Sequence, residues 1–438
     1  MSEIDKDIYG RFYSRNGMLY KYSKNFLNCI NAKSNKLEFI NSFFGIKATN
    51  YDIESFYSFI KVLRLRMKKL SSNKISKTLN LSRSTVDKWL WKTNLPRLAK
   101  LLEYYTELGN PPSGMKWISI NSTRGGMFTG KWICVPEKIT SFKQVLHFLN
   151  QLEFSEEIYV RLKQFELKDD MPILKPLLFS YVLGVLVGDA GKCPIERSQR
   201  VTRRISLSLT KKYETNKRFG EFVALCVNSL GLKMKRIKDS EPGRLNKHPF
   251  FRWCSQSSEL IEWIFNVCLG LESNQLTTYD AVKLDWILKC PSKFKIWFLQ
   301  GLADSDGYVD FNSFQAGIVS QPNTVLIKNI IGSLGVRSSI KIFRNNLEAV
   351  IVSIENAHKI PLFSPIVNNY RYSQMKKLAN ASKLSWHMSE DLREKIKEHL
   401  SSGLSGSSMV KEILDTYNIR VRSKSIRRLQ NSLRRFDK

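Results

Sequence analysis

LQGLADSDG, residues 299–307, and VLGVLVGDA, residues 182–190, are two apolar stretches of similar pattern. Each contains a glycine, a second small residue four positions later, and an aspartate directly after it. These residues are Gly184, Gly188 and Asp189 in the first copy and Gly301, Ser305 and Asp306 in the second. Residues four positions apart lie on one face of a helix, and small side chains there let two helix backbones approach closely. The stretches therefore predict two packed helices whose aspartates meet at the same end.

The segments that follow the two stretches also correspond to each other. A strand-like run comes first, ISLSLT in one half and AGIVSQ in the other, and a helix that ends in the turn SLG comes next. A second strand, FFRWCS or AVIVSI, and a further apolar helix complete each half. Such a duplication takes precedence over any single motif. We predict an α+β fold in which the unit αββαββα occurs twice in tandem.

The paired aspartates are the candidate chemical groups. Asp189 and Asp306 are expected at helix C-termini, where Gly191 and Gly307 are expected to provide a left-handed stop. Two carboxylates at the negative ends of two helix dipoles repel each other, so the arrangement needs cations between them. Oxygen ligands that are completed by water and phosphate suit Mg²⁺, and two such ions can support phosphodiester cleavage. Asp304 is expected to point away from Asp306 and to be a surface or capping charge.

LQGLADSDG closely resembles the second signature of the LAGLIDADG homing endonucleases, and VLGVLVGDA resembles the first. The resemblance covers about residues 177–385 and implies a pseudo-two-fold monomer whose two four-stranded antiparallel sheets form a saddle over the DNA major groove. It also implies cleavage of both DNA strands with Mg²⁺ or Mn²⁺, with Asp189 and Asp306 as catalytic metal ligands. The first signature departs from the family at Val187, where an acid is common, and at Ala190, where the family has glycine.

Further candidate residues lie on the expected strands and after them. Basic groups near the scissile phosphates are expected, and Lys283 and Arg371, which follow the last strand of each half, are candidates; a surface ion pair is the alternative for either. Residues that alternate along a strand can reach base edges and phosphates, and a solvated strand face is the alternative. The candidate DNA contacts are Arg203, Arg204, Ser206 and Ser208 in the first sheet and Asn312, Ser313 and Gln315 in the second.

Residues 51–100 carry a helix-turn-helix pattern. Ile75 and Leu79 form a short apolar face, Asn80 can adopt the left-handed turn, and Ser82 is a natural N-cap for the next helix. A helix in this position offers its first residues to the DNA major groove. These residues are Arg83, Ser84, Thr85 and Lys88. A plain helical hairpin with a solvated basic face is the alternative.

The charge of the chain indicates its class of partner. Among 438 residues there are 70 Lys and Arg against 39 Asp and Glu, a formal net charge of +31. A surplus of this size predicts a polyanion, with DNA or RNA ahead of an anionic membrane surface. The longest apolar run, residues 177–188, is shorter than the roughly 20 residues that span a membrane, and the polar start is no signal peptide. Seven scattered cysteines indicate a reducing compartment and no zinc site, so we expect a cytoplasmic, nucleoid-associated protein.

The chain predicts six segments. They are an N-terminal segment (1–50), the helix-turn-helix module (51–100), a connector with two short strands (101–175), the two repeats (176–290 and 291–385) and a basic helical C-terminal module (386–438). The C-terminal module is either a second helix-turn-helix or a basic amphipathic tail.

Three functions follow from these features. The leading hypothesis is a site-specific double-strand DNA endonuclease, monomeric with internal pseudo-symmetry, whose helix-turn-helix modules extend the footprint. The second is a non-cleaving DNA-binding transcription regulator whose active site is a relic. The retention of both aspartates counts against it, because an inactive site has no need of two like charges in contact. The third is a maturase that binds intron RNA. We do not expect an intein, since the sequence begins with Met and ends in RRFDK, without the terminal Cys or Ser and the His-Asn pair that splicing needs.

Overall fold

The structure is a computed structural model of the chain. It describes residues 23–24, 26–44, 48–91, 94–108, 112–120, 132–153, 155–167, 169–194, 201–241, 248–271, 281–343, 346–367, 369–383, 394, 398, 406–422 and 425–426. The chain divides into two compact units, one of residues 1–138 with 257–260 and one of residues 139–256 with 261–438. Within the described residues, no helix is both long enough and apolar enough to cross a membrane.

The described part of the first unit includes five helices with defined bounds and a two-stranded antiparallel sheet, besides helical residues at 23–24 and 26–31. The helices are α1 (Lys36–Phe44), α2 (Asn50–Met67), α3 (Ser72–Leu79), α4 (Arg83–Leu90) and α5 (Arg97–Leu108), and the antiparallel strands are β1 (Met115–Ser119) and β2 (Trp132–Pro136). Phe56, Phe59 and Leu63 on α2 are buried against Ile75 of α3 and Val86 of α4. The apolar period of α2 therefore provides the surface on which the two short helices pack.

The connection between α3 and α4 follows the local sequence closely. Asn80 ends α3 in the left-handed conformation, with a φ of 49°. Ser82 begins α4, and its hydroxyl accepts a hydrogen bond from the backbone N–H of Thr85 at 3.0 Å. Asparagine tolerates a positive φ and serine satisfies an unpaired N–H group at a helix start, so these two residues fix the short turn.

The second unit contains two halves with the same order of elements. It opens with α6 (Phe142–Asn150) and α7 (Glu156–Lys163). The first half has α8 (Met171–Val187), β3 (Ala190–Pro194), β4 (Val201–Thr210), α9 (Thr215–Asn228), β5 (Met234–Ser240), β6 (Phe250–Ser255) and α10 (Glu259–Trp263). The second has α11 (Ser292–Asp306), β7 (Gly307–Asp310), β8 (Gln315–Val319), α12 (Thr324–Gly332), β9 (Ser339–Ile342), β10 (Glu348–Ser353) and α13 (Ile354–Lys359). Then come α14 (Tyr370–Asn380), β11 (Ser382–Lys383), α15 (Gly406–Tyr417) and β12 (Ile419–Arg420).

Each half forms one four-stranded antiparallel sheet. The strand orders are β3-β4-β6-β5 and β7-β8-β10-β9. In both sheets the last strand in sequence therefore lies between the second and the third. One face of each sheet is buried under its own helix, α9 in the first half and α12 in the second. The prediction of an α+β fold with antiparallel sheets is confirmed.

The helices α8 and α11 form the centre of the second unit. Every residue from 176 to 188 is buried, as is nearly every residue of α11 from Phe294 to Ser305. A helix that is apolar on all sides must be surrounded by protein. The helix α8 begins at Met171, five positions before the predicted start of the first repeat, and its N-terminal half packs against α6 through the rings of Phe148 and Phe179, 5.5 Å apart.

The predicted left-handed stops after the two helices are wrong. Gly191 lies within β3 and is not among the glycines with positive φ, and Gly307 begins β7 with a φ of −83°. A Cβ atom on Gly307 would collide with the carbonyl oxygen of Ala303 and the ring of Phe363, so close packing is the reason for this glycine. The two SLG turns contain left-handed glycines, Gly231 and Gly335, with φ values of 76° and 74°.

The described part of the C-terminal segment packs on the second half. Buried apolar residues of this segment enclose Phe311 in the β7–β8 turn. The parallel pair β11–β12 and the ion pair between Arg420 and Glu355, 2.8 Å apart, add to this contact. Of the three predicted C-terminal helices, the second corresponds to α15, and residues 389–403 and 423–436 lie largely outside the described residues.

Candidate active site

The close contact between α8 and α11 depends on glycine. A Cβ atom on Gly184 would lie under 3.0 Å from backbone atoms of Phe298 and Leu302, and one on Gly301 would lie that close to the carbonyl oxygen of Tyr181. Contacts this short essentially never occur for real Cβ atoms. The two backbones therefore touch directly, as the small-residue spacing predicts.

The same contact continues to the ends of the two helices. A Cβ atom on Gly188 would meet the side chain of Ser305 and lie 3.4 Å from Oδ2 of Asp306. The hydroxyl of Ser305 donates to the carbonyl oxygen of Gly301 at 3.0 Å, so this polar group is satisfied within its own helix. Asp306 is the last residue of α11, and Asp189 lies in the turn directly after α8. The structure thus brings the two aspartates together at one end of the helix pair.

Both carboxyl groups of this pair resist ionisation. Asp189 is exposed to solvent and Asp306 is half-buried, yet protein atoms crowd both. Desolvation, and then the negative charge of Asp306, raise the pKa of Asp189 to about 7. Desolvation raises the pKa of Asp306 to about 6. A cation between the two carboxylates would relieve both effects.

Arg371 supplies positive charge to the aspartate pair. Its guanidinium lowers the pKa of both Asp189 and Asp306, although less than desolvation raises them. The arginine donates a hydrogen bond from a terminal nitrogen to the backbone carbonyl of Asp304 and lies over the ring of Tyr370. Its buried Nε has no hydrogen-bond partner among the described residues.

Lys283 occupies a different environment. Its side chain is exposed, its backbone N–H donates to the carbonyl of Leu269 at 2.8 Å, and its Cβ lies against Gly270. Within the described contacts, the structure brings Arg371 and not Lys283 to the aspartates.

The position predicted for Asp304 is wrong. Its side chain is 1% exposed and accepts three hydrogen bonds. The donors are the hydroxyl of Tyr181 at 2.8 Å, the backbone N–H of Ser364 at 3.2 Å and the side-chain amide of Asn369 at 2.8 Å. Burial raises the pKa of Asp304 to about 7, while these donors and Arg371 lower it. The sequence spacing correctly turns Asp304 away from Asp306, but other parts of the chain cover that face of α11.

The donor set at the helix ends fits a hard divalent cation. Two carboxylates meet there, one of them open to solvent, and oxygen donors of this kind are those that Mg²⁺ binds. Among the residues that the structure describes, no group of three or more His, Cys, Asp and Glu side chains could hold a metal ion. Asp189 and Asp306 would therefore need water and a bound phosphate to complete the ligand shell.

The outer face of the first sheet is polar and basic. Along β4, buried Ile205, Leu207 and Leu209 alternate with Arg204, Ser206 and Ser208. Residues directly opposite in an antiparallel pair share a face, which places Arg252 beside Ser208 and Lys235 in the row of Ser206. Arg204, Arg252 and Lys235 are all exposed. Arg203 also lies in β4, and its side chain is outside the described part of the structure.

The candidate contacts of the second sheet lie at the β7–β8 turn. The backbone N–H of Asn312 and the hydroxyl of Ser313 both donate to the carboxylate of Asp310. The same hydroxyl lies 3.2 Å from Oε1 of Gln315. All three predicted residues are half-buried, and the hydrogen bonds of their polar groups lie within the turn. Neighbouring Phe314 lies 5.7 Å from the guanidinium carbon of Arg420 in the C-terminal segment.

The predicted contact residues of the first unit lie on the first turns of α4. Arg83, Ser84 and Lys88 are exposed, and Thr85 is half-buried. The hydroxyl of Thr85 lies 2.7 Å from that of Ser82, and Arg83 forms an exposed ion pair with Asp87 at 3.6 Å. An exposed pair of this kind contributes little to stability, so Arg83 is available to another anion.

Sequence reasoning missed several residues of the site. Lys235 and Arg252 join the outer face of the first sheet through strand register, and Tyr181 and Asn369 hold Asp304 across long stretches of sequence. The alternation of exposed and buried residues along FFRWCS could have indicated Arg252. No local pattern indicates Tyr181 or Asn369.

Comparisons with known proteins give limited similarity. No family model matches the chain, and no curated protein matches it. Among solved structures, the homing endonuclease I-DmoI bound to DNA and Mn is 17% identical, with a TM-score of 0.31. The aligned part covers 42% of this chain and 94% of the I-DmoI chain. The homing endonuclease I-WcaI on its DNA recognition sequence has 13% identity and a TM-score of 0.33, covering 51% and 96%. Full-length DUF199/WhiA from Thermatoga maritima has 13% identity and a TM-score of 0.32, covering 64% and 95%. At these scores we assign neither fold nor function from the likeness.

Proposed function

We propose that the protein is a site-specific double-strand DNA endonuclease of the LAGLIDADG homing type. The observation that carries the proposal is the meeting of Asp189 and Asp306 at the ends of two helices whose backbones touch through glycine. Two carboxylates that share one site at the cost of raised pKa values are typical of catalytic positions. The net charge of +31 supports a polyanionic substrate.

The side chains of the site divide the work of phosphodiester hydrolysis. Asp189 and Asp306 would hold Mg²⁺ or Mn²⁺, which when bound supplies charge neutralisation and lowers the pKa of an attacking water. Arg371, whose guanidinium lowers the pKa of both aspartates, would supply positive charge for a phosphate beside the pair. Burial of the helix contact keeps the two carboxylates fixed before substrate arrives.

Two surfaces of the chain are suited to duplex DNA. The outer face of the first sheet presents Arg204, Lys235 and Arg252 together with two serines, a combination that can contact phosphates and base edges. In the first unit, α4 presents Arg83, Ser84 and Lys88 from its first turns, the part of a recognition helix that enters the major groove. We propose that the sheets hold the cleavage site and that α4 extends the footprint.

The first experiment is cleavage of a plasmid that carries the DNA flanking the protein's own gene. We expect purified protein with Mg²⁺ to linearise this plasmid. The variant Asp306→Asn should reduce double-strand cleavage at least about 1,000-fold while DNA binding persists, because the neutral amide no longer holds the cation. Asp285→Asn, which removes an exposed carboxylate from a short 3₁₀ turn, is the control and should cleave normally. Robust cleavage by Asp306→Asn would refute the paired-aspartate mechanism.

A non-cleaving DNA-binding regulator is the second candidate. The helix pair α3–α4 favours it, because this module lies in a compact unit separate from the aspartates. Tight, sequence-specific binding by the wild type without cleavage at any Mg²⁺ or Mn²⁺ concentration would support the regulator. Selective binding to folded intron RNA over duplex DNA would instead support a maturase.

A further inference from the structure

Asp304 is the centre of a latch that holds one segment of the second half on α11. We call residues 361–371 the strap; residue 368 lies outside the described part. Ser364 and Asn369 of the strap both donate to Oδ1 of Asp304, at 3.2 and 2.8 Å. One turn earlier on the same face of α11, the side-chain amide of Gln300 donates to the carbonyl oxygen of Pro361 at 3.0 Å. Asp304 and Gln300 are both at most 3% exposed, so the latch is sealed from solvent.

The strap is also fixed from the first half of the repeat. Tyr181 of α8 donates to Oδ2 of Asp304 at 2.8 Å, and Arg218 of α9 donates to the carbonyl oxygen of Ile366 at 3.1 Å. The ring of Tyr370 stacks on Tyr213, with centroids 4.4 Å apart and planes 19° apart. Both halves therefore hold the strap in place.

The strap ends at Arg371. Asn369 caps α14 by accepting a hydrogen bond from the backbone N–H of Tyr372 at 2.9 Å, while its amide nitrogen holds Asp304. Arg371 itself donates to the backbone carbonyl of Asp304. A single buried residue thus fixes, through its carboxylate and its carbonyl, both the helix start and the arginine that faces the aspartate pair.

We infer that Asp304 is a positioning residue that holds Arg371 beside Asp189 and Asp306 through the strap. The inference rests on the proposed endonuclease function and adds a residue that does not touch the reacting atoms. Two N–H donors converge on Oδ1 of Asp304 and the hydroxyl of Tyr181 on Oδ2, and the negative charge strengthens all three hydrogen bonds. An asparagine loses this charge, and its amide would force the Tyr181 hydroxyl to turn from donor to acceptor, which weakens the latch.

A double-mutant cycle separates this role from a general structural one. We expect Asp304→Asn and Arg371→Met each to slow single-turnover cleavage about 100-fold at saturating protein, because a displaced group near a reacting centre costs about this much. If Asp304 acts through Arg371, the double variant is no slower than Arg371→Met alone. Multiplication of the two effects, to about 10,000-fold, would overturn the inference.

Lys295→Met is the matched control for the cycle. Lys295 is also a buried charged residue of α11, 6% exposed, and its ammonium donates to the hydroxyl of Ser333 at 2.9 Å, near the other end of the helix. We expect this variant to be less stable but to cleave normally. In combination with Arg371→Met, its effect on the cleavage rate should stay negligible.

Hydrogen exchange tests the latch without any cleavage assay. In the full-length protein, Asp304→Asn should increase exchange in peptides that cover residues 361–373 at least about 10-fold, since Ser364 and Tyr372 lose fixed acceptors. Lys295→Met should leave these peptides unchanged. Unchanged exchange in Asp304→Asn would refute the latch even if cleavage falls. A wild type that never cleaves but shows the expected exchange would instead refute the proposed function and leave the latch in place.

Discussion

Three carboxyl groups near the C-terminal ends of α8 and α11 are buried or crowded by protein atoms. Asp189, Asp304 and Asp306 all have raised pKa values, to about 7, 7 and 6, and desolvation is the main cause for each. Their environments differ, because Asp304 is held by three donors whereas the other two face solvent and each other. Asp304 therefore serves packing, whereas Asp189 and Asp306 have no such set of donors among the described contacts.

The raised pKa values predict that the metal-free protein loses stability as the pH rises. Asp189, Asp304 and Asp306 have pKa values of about 7, 7 and 6 when folded but near 4 in an unfolded chain, so between pH 4 and 7 the folded state holds more protons. Unfolding should therefore become easier from pH 5 to pH 8. After allowance for solvent screening, we expect the exposed Asp189 to contribute about 1 kcal/mol of this change.

The measurement is urea unfolding in EDTA at pH 5 and pH 8. Asp189→Asn should flatten this dependence and raise stability at pH 8, because it removes one of the two like charges. Added Mg²⁺ should stabilise the wild type at pH 8 and have little effect on the variant. A variant with the same pH dependence as the wild type would contradict the coupling of the two carboxylates.

At the scale of elements, the packing of α8 on α11 has almost no tolerance for added volume. Gly184 and Gly301 each face the backbone of the other helix, and backbone atoms cannot move aside as a flexible side chain can. Any side chain at these positions must separate the two helices.

We predict that Gly301→Val destabilises the protein by about 3 kcal/mol, through overpacking of this contact. Gly332→Ala is the control, because a Cβ atom at the end of α12 would meet nothing within 4 Å. Alanine is a better helix former than glycine, so this control should be neutral or stabilising by up to about 1 kcal/mol. Chemical denaturation of both variants tests the contrast, which similar losses of stability would contradict.

At the scale of the whole molecule, the proposed function assigns binding to basic residues in both units and cleavage to the acidic pair. Arg83 and Lys88 lie on α4 of the first unit, whereas Arg204, Lys235 and Arg252 lie in the second unit with the aspartates. Salt-dependent affinity and low-salt cleavage should therefore respond to different substitutions.

We expect Arg83→Ala combined with Lys88→Ala to reduce the slope of log Kd against log salt by about 2, since each phosphate contact contributes about 0.9. Cleavage at low salt with saturating protein should be unchanged. The control combines Lys289→Ala with Lys293→Ala. Both lysines lie near the start of α11, at the opposite end of that helix from Asp306. Fluorescence anisotropy over a salt series measures the slopes. Equal slopes for the two double variants would show that only total charge matters.

The sequence by itself indicated the α+β class with antiparallel strands and predicted a contact between two helices through small residues. The glycine spacing in LQGLADSDG and VLGVLVGDA predicts the helix pair, because a period of 3.6 residues places these positions on one face. The turn between α3 and α4 is equally local, since Asn80 and Ser82 act through their own backbone neighbourhood. Such features depend on residues only a few positions apart.

The tertiary structure alone decided which residues surround the aspartates. Tyr181 and Asp304 are 123 positions apart, and Asn369 lies 65 positions beyond Asp304, so no local pattern joins them. For the same reason the sequence could not show that the strap buries Asp304, or that Arg371 rather than Lys283 faces the pair. Strand register likewise placed Lys235 and Arg252 on the face of Arg204. Local spacing determines the face of a helix on which a side chain lies, whereas its burial and its charge depend on the distant segment that packs against that face.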